Sequence, residues 1–121
     1  MEADKPQTRY VRTIIRTPEF DAFFEALPPK VKLKFDYVFN VIVSIYNVSA
    51  KFVKHLENTD LYEMRISIAT NEYRTILFAI DNTNFIEAKN ILLLNGFLKK
   101  DSKDYRKQIE IANTILNKFE L

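Results

Sequence analysis

Between residues 31 and 69 the apolar period of this chain changes from that of a helix to that of a strand. Val31, Phe35, Val38, Phe39, Ile42, Ile45 and Tyr46 fall at i, i+4, i+7, i+8, i+11, i+14 and i+15. That is one stripe on a surface that turns every 3.6 residues. From Leu61 to Ala69 apolar and polar residues alternate instead. Tyr62, Met64, Ile66 and Ile68 share one face, and Glu63, Arg65 and Ser67 the other, because successive strand side chains point to opposite sides. An amphipathic helix and a half-apolar strand each need a partner to bury one face, which constrains the chain to an α+β domain.

The flanking segments extend the pattern. Tyr10 to Ile15 is rich in β-branched residues and reads as a short strand. Thr17-Pro18 has the chemistry of a helix start: a hydroxyl for the first free N–H groups, then a proline at the first helical position. Phe20, Phe23, Phe24 and Leu27 come next at helical spacing. Pro28-Pro29 closes that helix and opens the long one, which should end near Asn47. Thr70-Asn71 marks a hairpin turn without the favoured glycine. Tyr73 to Ile80 reads as a strand, Asp81-Asn82-Thr83-Asn84 as a turn, and Glu87 to Leu98 as a third strand of an antiparallel meander. Asp104 is placed to cap a final helix with Ile109, Ala112, Ile115, Leu116 and Phe119 on its apolar face. The expected order is β-α-α-β-β-β-α. It makes a mainly antiparallel sheet with helices packed on one face and Glu63, Arg65 and a possible partner, Arg74, on the other. Residues 1–8 read as a flexible tail and 9–121 as a single domain.

Composition removes several kinds of chemistry. No Cys is present, which excludes disulfides and thiolate metal sites, and a single His leaves no histidine cluster for a metal. No cofactor is expected. The opening stretch, Met1 to Arg9, is polar and unlike a signal peptide. No apolar run approaches the roughly 20 residues of a membrane span, so a cytoplasmic location is expected. Net charge is only +2, and its distribution says more. The one glycine, Gly96, comes after the apolar run Ile91-Leu92-Leu93-Leu94. It precedes a stretch in which Lys99, Lys100, Lys103, Arg106 and Lys107 outnumber Asp101 and Asp104. A buried strand thus ends in cations that a phosphate can reach, although a solvated helix start is the plainer account of such a run.

Three segments carry a family resemblance. The first is Phe52-Val53-Lys54-His55-Leu56, a short turn, then Leu61-Tyr62-Glu63-Met64-Arg65. The second is Tyr73-Arg74 at the start of the next strand. The third is Leu93-Leu94-Asn95-Gly96-Phe97-Leu98-Lys99-Lys100, then Lys103, Ile109 and Ala112. In this order and spacing they resemble the RelE/ParE toxin superfamily, and within it the HigB-like, phage Gp49-like branch. The resemblance spans about residues 9–119. The chain departs from the branch at Asp104-Tyr105, where a Thr-Pro pair is common.

The resemblance implies the toxin of a type II toxin–antitoxin module. That is an mRNA interferase, acting on mRNA at the ribosome without a metal and neutralised by a cognate antitoxin, commonly of helix-turn-helix type. A gyrase poison of the ParE kind and a non-catalytic antitoxin-binding domain are the alternatives. Cleavage through the ribose 2′-OH needs a base, an acid and positive charge for the developing phosphorane. Arg65 and Arg74 are the candidates for phosphate contact, since an arginine fork binds two phosphate oxygens and stays charged. From spacing alone, strand arginines paired with Glu63 or Glu72 are equally in keeping. Lys99 and Lys100 are expected in the catalytic group, with Tyr105 stacking on a base, sharing a proton or capping the core. Lys54, His55, Lys103 and Arg106 are expected to bind RNA. Glu63 is a possible base as well as a partner for Arg65.

Overall fold

A computed structural model of the chain describes residues 10–100 and 103–119. The expected tail over residues 1–8, and Asp101, lie outside the described residues. The elements run β1 (Thr13–Arg16), α1 (Pro18–Glu25), α2 (Pro29–Ser44), β2 (Val53–His55), β3 (Leu61–Ile68), β4 (Asn71–Ala79), β5 (Asn90–Lys99) and α3 (Lys103–Lys118). The five strands form one sheet in the order β1-β5-β4-β3-β2. Only β1 pairs in parallel, with β5; the other neighbours are antiparallel. The α+β reading holds, with one added element. The three-residue β2 is too short to show a period, and it exists because Val53 to His55 pair with Met64 to Tyr62.

Helix α1 forms as its cap dictates, and α2 opens on Pro29 without a side-chain cap. The Thr17 hydroxyl accepts from the Phe20 N–H at 3.2 Å and donates to the Leu93 and Leu94 carbonyls at 2.8 and 2.9 Å. The start of α1 is thereby tied to the middle of β5. The end of α2 comes earlier than the apolar stripe indicates, at Ser44. Arg12 explains the difference. It is 3% exposed, and its guanidinium donates to the carbonyls of Ile42, Ile45 and Tyr46 at 2.6 to 2.9 Å. It also reaches Phe85 and Ile86, at 3.3 and 2.9 Å. Carbonyls that would otherwise end the helix unpaired are thus satisfied by a side chain.

The sheet has two apolar faces. Helices α1 and α2 cover one of them, through Phe20, Phe24, Phe35, Val38 and Ile42 against Met64, Ile66, Tyr73, Leu77, Ile91 and Leu93. Helix α3 does not join them. It packs on the opposite face, where Ala112 and Ile115 meet Ile76, Leu92 and Leu94. The expectation of helices on a single face therefore holds for two of the three. The cause is β5, whose continuous apolar run requires cover on both sides.

A bulge in β5 redirects the side chains of its second half. Leu77 pairs with Leu93 and Ile76 with Asn95, so Leu94 has no partner in register. The extra residue shifts the alternation by one. Leu94 and Asn95 both turn toward α3, and Asn95 donates to the Gln108 carbonyl and side chain at 3.1 and 2.8 Å. Gly96 then faces α1, and Phe97 joins the α3 side. Helix α3 begins one residue before the expected cap. Asp104 lies in its first turn, with its carboxylate accepting from the Lys100 N–H at 2.9 Å.

Candidate active site

The register of the sheet assembles the polar groups of the α3 face. Arg65 lies opposite Arg74, and Ser67 opposite Glu72. Lys54 lies opposite Glu63 across β2 and β3, and Lys99 opposite Glu72 across β4 and β5. Two arginines directly opposite one another repel, and Glu63 offsets this. Its carboxylate is 3.4 Å from Arg65 Nε through Oε2 and 3.7 Å from Arg74 Nε through Oε1. Glu63 is buried, and among the described residues neither Oε1 nor Arg65 Nε has a hydrogen-bond partner.

Arg74 is only 2% exposed. Its Nη2 donates to Glu72 at 3.1 Å, its Nη1 to the Tyr73 carbonyl at 3.0 Å, and its Nε to the Tyr105 hydroxyl at 2.9 Å. Glu72 is held below the ordinary carboxylate range, first by the Ser67 hydroxyl and then by Arg74. Tyr105 stands edge-on to Phe97, with ring centroids 5.6 Å apart. Lys99 Nζ lies 5.6 Å from the centre of the Tyr105 ring. Burial, and after it the Glu63 carboxylate, push the Tyr105 phenol up to about 12. The Tyr105 oxygen accepts from Arg74, and its own proton is directed to the Glu63 carboxylate.

Of the residues singled out in the sequence, Arg65, Arg74, Lys99, Tyr105 and Lys54 come together here. The position of Arg74 differs from a phosphate-facing one: it is enclosed and committed to Glu72, Glu63 and Tyr105. Arg65 is the more open arginine, with its side chain 34% exposed. His55 is separated from the group. Strand alternation turns it to the other side of β2, where it packs on the Tyr62 ring at 5.2 Å and its Nε2 meets the Thr59 carbonyl at 2.6 Å. Lys100 is exposed beyond the end of β5, and Lys103 and Arg106 are exposed on the first turns of α3. Ser67 carries no signal of its own in the sequence, although its place opposite Glu72 is evident once the hairpin register is known. Among the described residues no cluster of three His, Cys, Asp or Glu is placed to hold a metal. No helix among them is long and apolar enough to cross a membrane.

This sheet, with two helices on one side and one on the other, is similar to a known toxin fold. An arginine-to-alanine double mutant of the E. coli toxin RelE, solved in the free state, superposes with a TM-score of 0.58 at 13% identity. The match covers 83% of this chain and 96% of that one. The family described as phage-derived protein Gp49-like matches over residues 22–117. The chain belongs to that Gp49-like family. No curated protein matches it.

Proposed function

We propose that this protein is the toxin of a type II toxin–antitoxin module and an mRNA interferase that cuts through the ribose 2′-OH. The observation that carries the reading is the group on the α3 face: Glu63 between two arginines, with the Tyr105 phenol against them. The Gp49-like family and the RelE fold support it.

Each group has a role in keeping with its surroundings. Arg65, the exposed arginine, meets the scissile phosphate and stabilises the charge that develops there. Lys54 and Lys99 flank it and hold the backbone. Glu63, the carboxylate beside Arg65, is the candidate base for the 2′-OH proton. Tyr105, protonated at neutral pH as a phenol is, donates to the phosphate or to the leaving 5′-oxygen. Arg74 is a positioning residue that fixes Glu63, Glu72 and Tyr105. An antitoxin with an acidic segment, or an apolar helix, would cover this face.

The test is controlled expression in a bacterium with mapping of new mRNA 5′ ends. Arg65→Ala and Tyr105→Phe are the variants of choice, because Arg74→Ala would strand two carboxylates and endanger the fold. New ends inside translated frames, lost with Arg65→Ala, support the reading. Growth arrest without new ends would move the target to gyrase. Soluble protein with neither effect would leave an antitoxin-binding domain.

A further inference from the structure

Beside Arg65, the molecule has a second feature that the cleavage chemistry does not use. β3 runs on past the start of β2, and there a cavity of about 340 Å³ opens between α2 and the turn before β2. Its walls include Lys34, Tyr37, Lys51, Phe52 and Arg65, and among the described residues no acidic side chain lines it. Tyr37 is 55% exposed although it is a large aromatic. Its ring meets Phe52 at 6.1 Å and 64°, so the two form an open corner and not a closed stack. Each ring has a lysine over one face: Lys34 Nζ is 6.0 Å from the Tyr37 centroid and Lys51 Nζ 5.6 Å from that of Phe52.

We infer that this corner is a nucleobase subsite, where the base next to the scissile phosphate stacks on Tyr37 or Phe52 while Lys34 and Lys51 hold its phosphates. The inference rests on the mRNA interferase reading and extends it to the substrate. Aromatic faces interleaved with cations are the physical signature of single-strand binding, because every base has a π-face and every linkage a negative charge. Unpaired bases are also what proteins read in RNA. The cavity shares Arg65 with the candidate active site. A strand with its phosphate on that guanidinium has the corner as its next surface. An apolar antitoxin helix is the poorer occupant, because it would bring an apolar face to a lining that carries three cations.

Crosslinking tests this without relying on turnover. Oligoribonucleotides with 4-thiouridine beside the cut, and 2′-deoxyribose at the cleaved nucleotide, are irradiated with the protein, free and on bacterial ribosomes. The adducts are then mapped. Adducts at Tyr37 or Phe52 are expected. Cleavage by Tyr37→Leu is expected to fall about tenfold, with a relaxed base preference, and Tyr37→Phe, which keeps the stacking ring, is expected to recover most of that loss. Adducts confined to α3, with normal cleavage by Tyr37→Leu, would overturn the subsite and leave the interferase reading intact. Weaker antitoxin binding by Tyr37→Leu with unchanged cleavage would also overturn it and give the corner to the antitoxin. A wild-type protein that neither crosslinks nor cuts RNA would overturn the interferase reading, and the subsite with it.

Discussion

The Phe23 ring of α1 rests on the backbone of Gly96 in β5, so close that a β-carbon there would fall 2.2 Å from Cε2 and 2.3 Å from Cδ2 of the ring. This contact accounts for the one glycine of the chain. The ring cannot easily retreat, because Phe20 and Phe35 stand 5.9 and 6.0 Å from it. Gly96→Ala should therefore destabilise the protein by about 1–3 kcal/mol, the usual range for overpacking. In a Phe23→Ala background the same change should cost little, since the space is then free. Urea unfolding of the four proteins of that double-mutant cycle reads the coupling. Equal effects of Gly96→Ala in both backgrounds would show that the contact does not constrain position 96.

Arg12 offers a second test. Five carbonyls from two segments accept from its one planar group, and the ring of Phe85 lies 4.9 Å from its central carbon. Lysine keeps the charge but has only three donors on a single nitrogen. Arg12→Lys should cost about 3 kcal/mol, as buried acceptors lose charge-assisted bonds. Amide exchange at the end of α2 should speed up more than exchange in β4. Uniform acceleration through the chain would argue against a local staple.

The β3–β4 hairpin turns through Ala69 and Thr70, with Ala69 at a φ of 53°. An L-residue with a β-carbon is strained there by about 1–2 kcal/mol, part of which glycine would return through its greater freedom when unfolded. Ala69→Gly should raise stability by about 0.5–1 kcal/mol. A rise in denaturation midpoint at constant m-value is the expected readout. An unchanged or lower midpoint would count against the strain.

Much of the architecture was legible in local chemistry. Thr17-Pro18 caps the helix its chemistry indicates, and the alternation from Tyr62 to Ile68 separates the α1–α2 face from the polar one. What stayed hidden was decided by pairing at a distance. Three residues cannot declare β2 without the strand they join. The bulge at Leu94 leaves no mark in a run of leucines, yet it alone turns Asn95 to α3 and Gly96 to Phe23. The candidate site divides in the same way. Arg65, Arg74, Lys99 and Tyr105 could be picked out by type and by family resemblance. That Arg74 is enclosed and His55 turned away depends on register. Tyr37 escaped notice because on α2 it reads as an ordinary aromatic residue, Phe52 stood out only as part of a family motif, and only the cavity joins them.

The Tyr105 phenol gives a prediction with a defined sign. Its folded value, about 12, lies above the ordinary 10 because burial and the Glu63 carboxylate disfavour the anion. The unfolded chain therefore releases this proton first as pH rises. The stabilising contribution is complete below about pH 10 and is lost progressively as pH climbs through about 12, since the folded state then holds more protons than the unfolded one. Tyr105→Phe removes the titrating group and should flatten the decline of stability over that interval. A parallel ultraviolet titration should show the latest of the six tyrosines disappear in the variant. Tyr46, raised by its hydrogen bond to Glu87, serves as the control. For cleavage the same shift predicts no loss of activity from phenol ionisation between pH 7 and about 10. Tyr105→Phe, which keeps the ring against Phe97 and removes only the donor, should slow cutting by about 100-fold or more if the proton is used in the transition state. Near-normal cutting by that variant would reduce Tyr105 to a packing residue and leave Arg65 and the lysines to supply the rate.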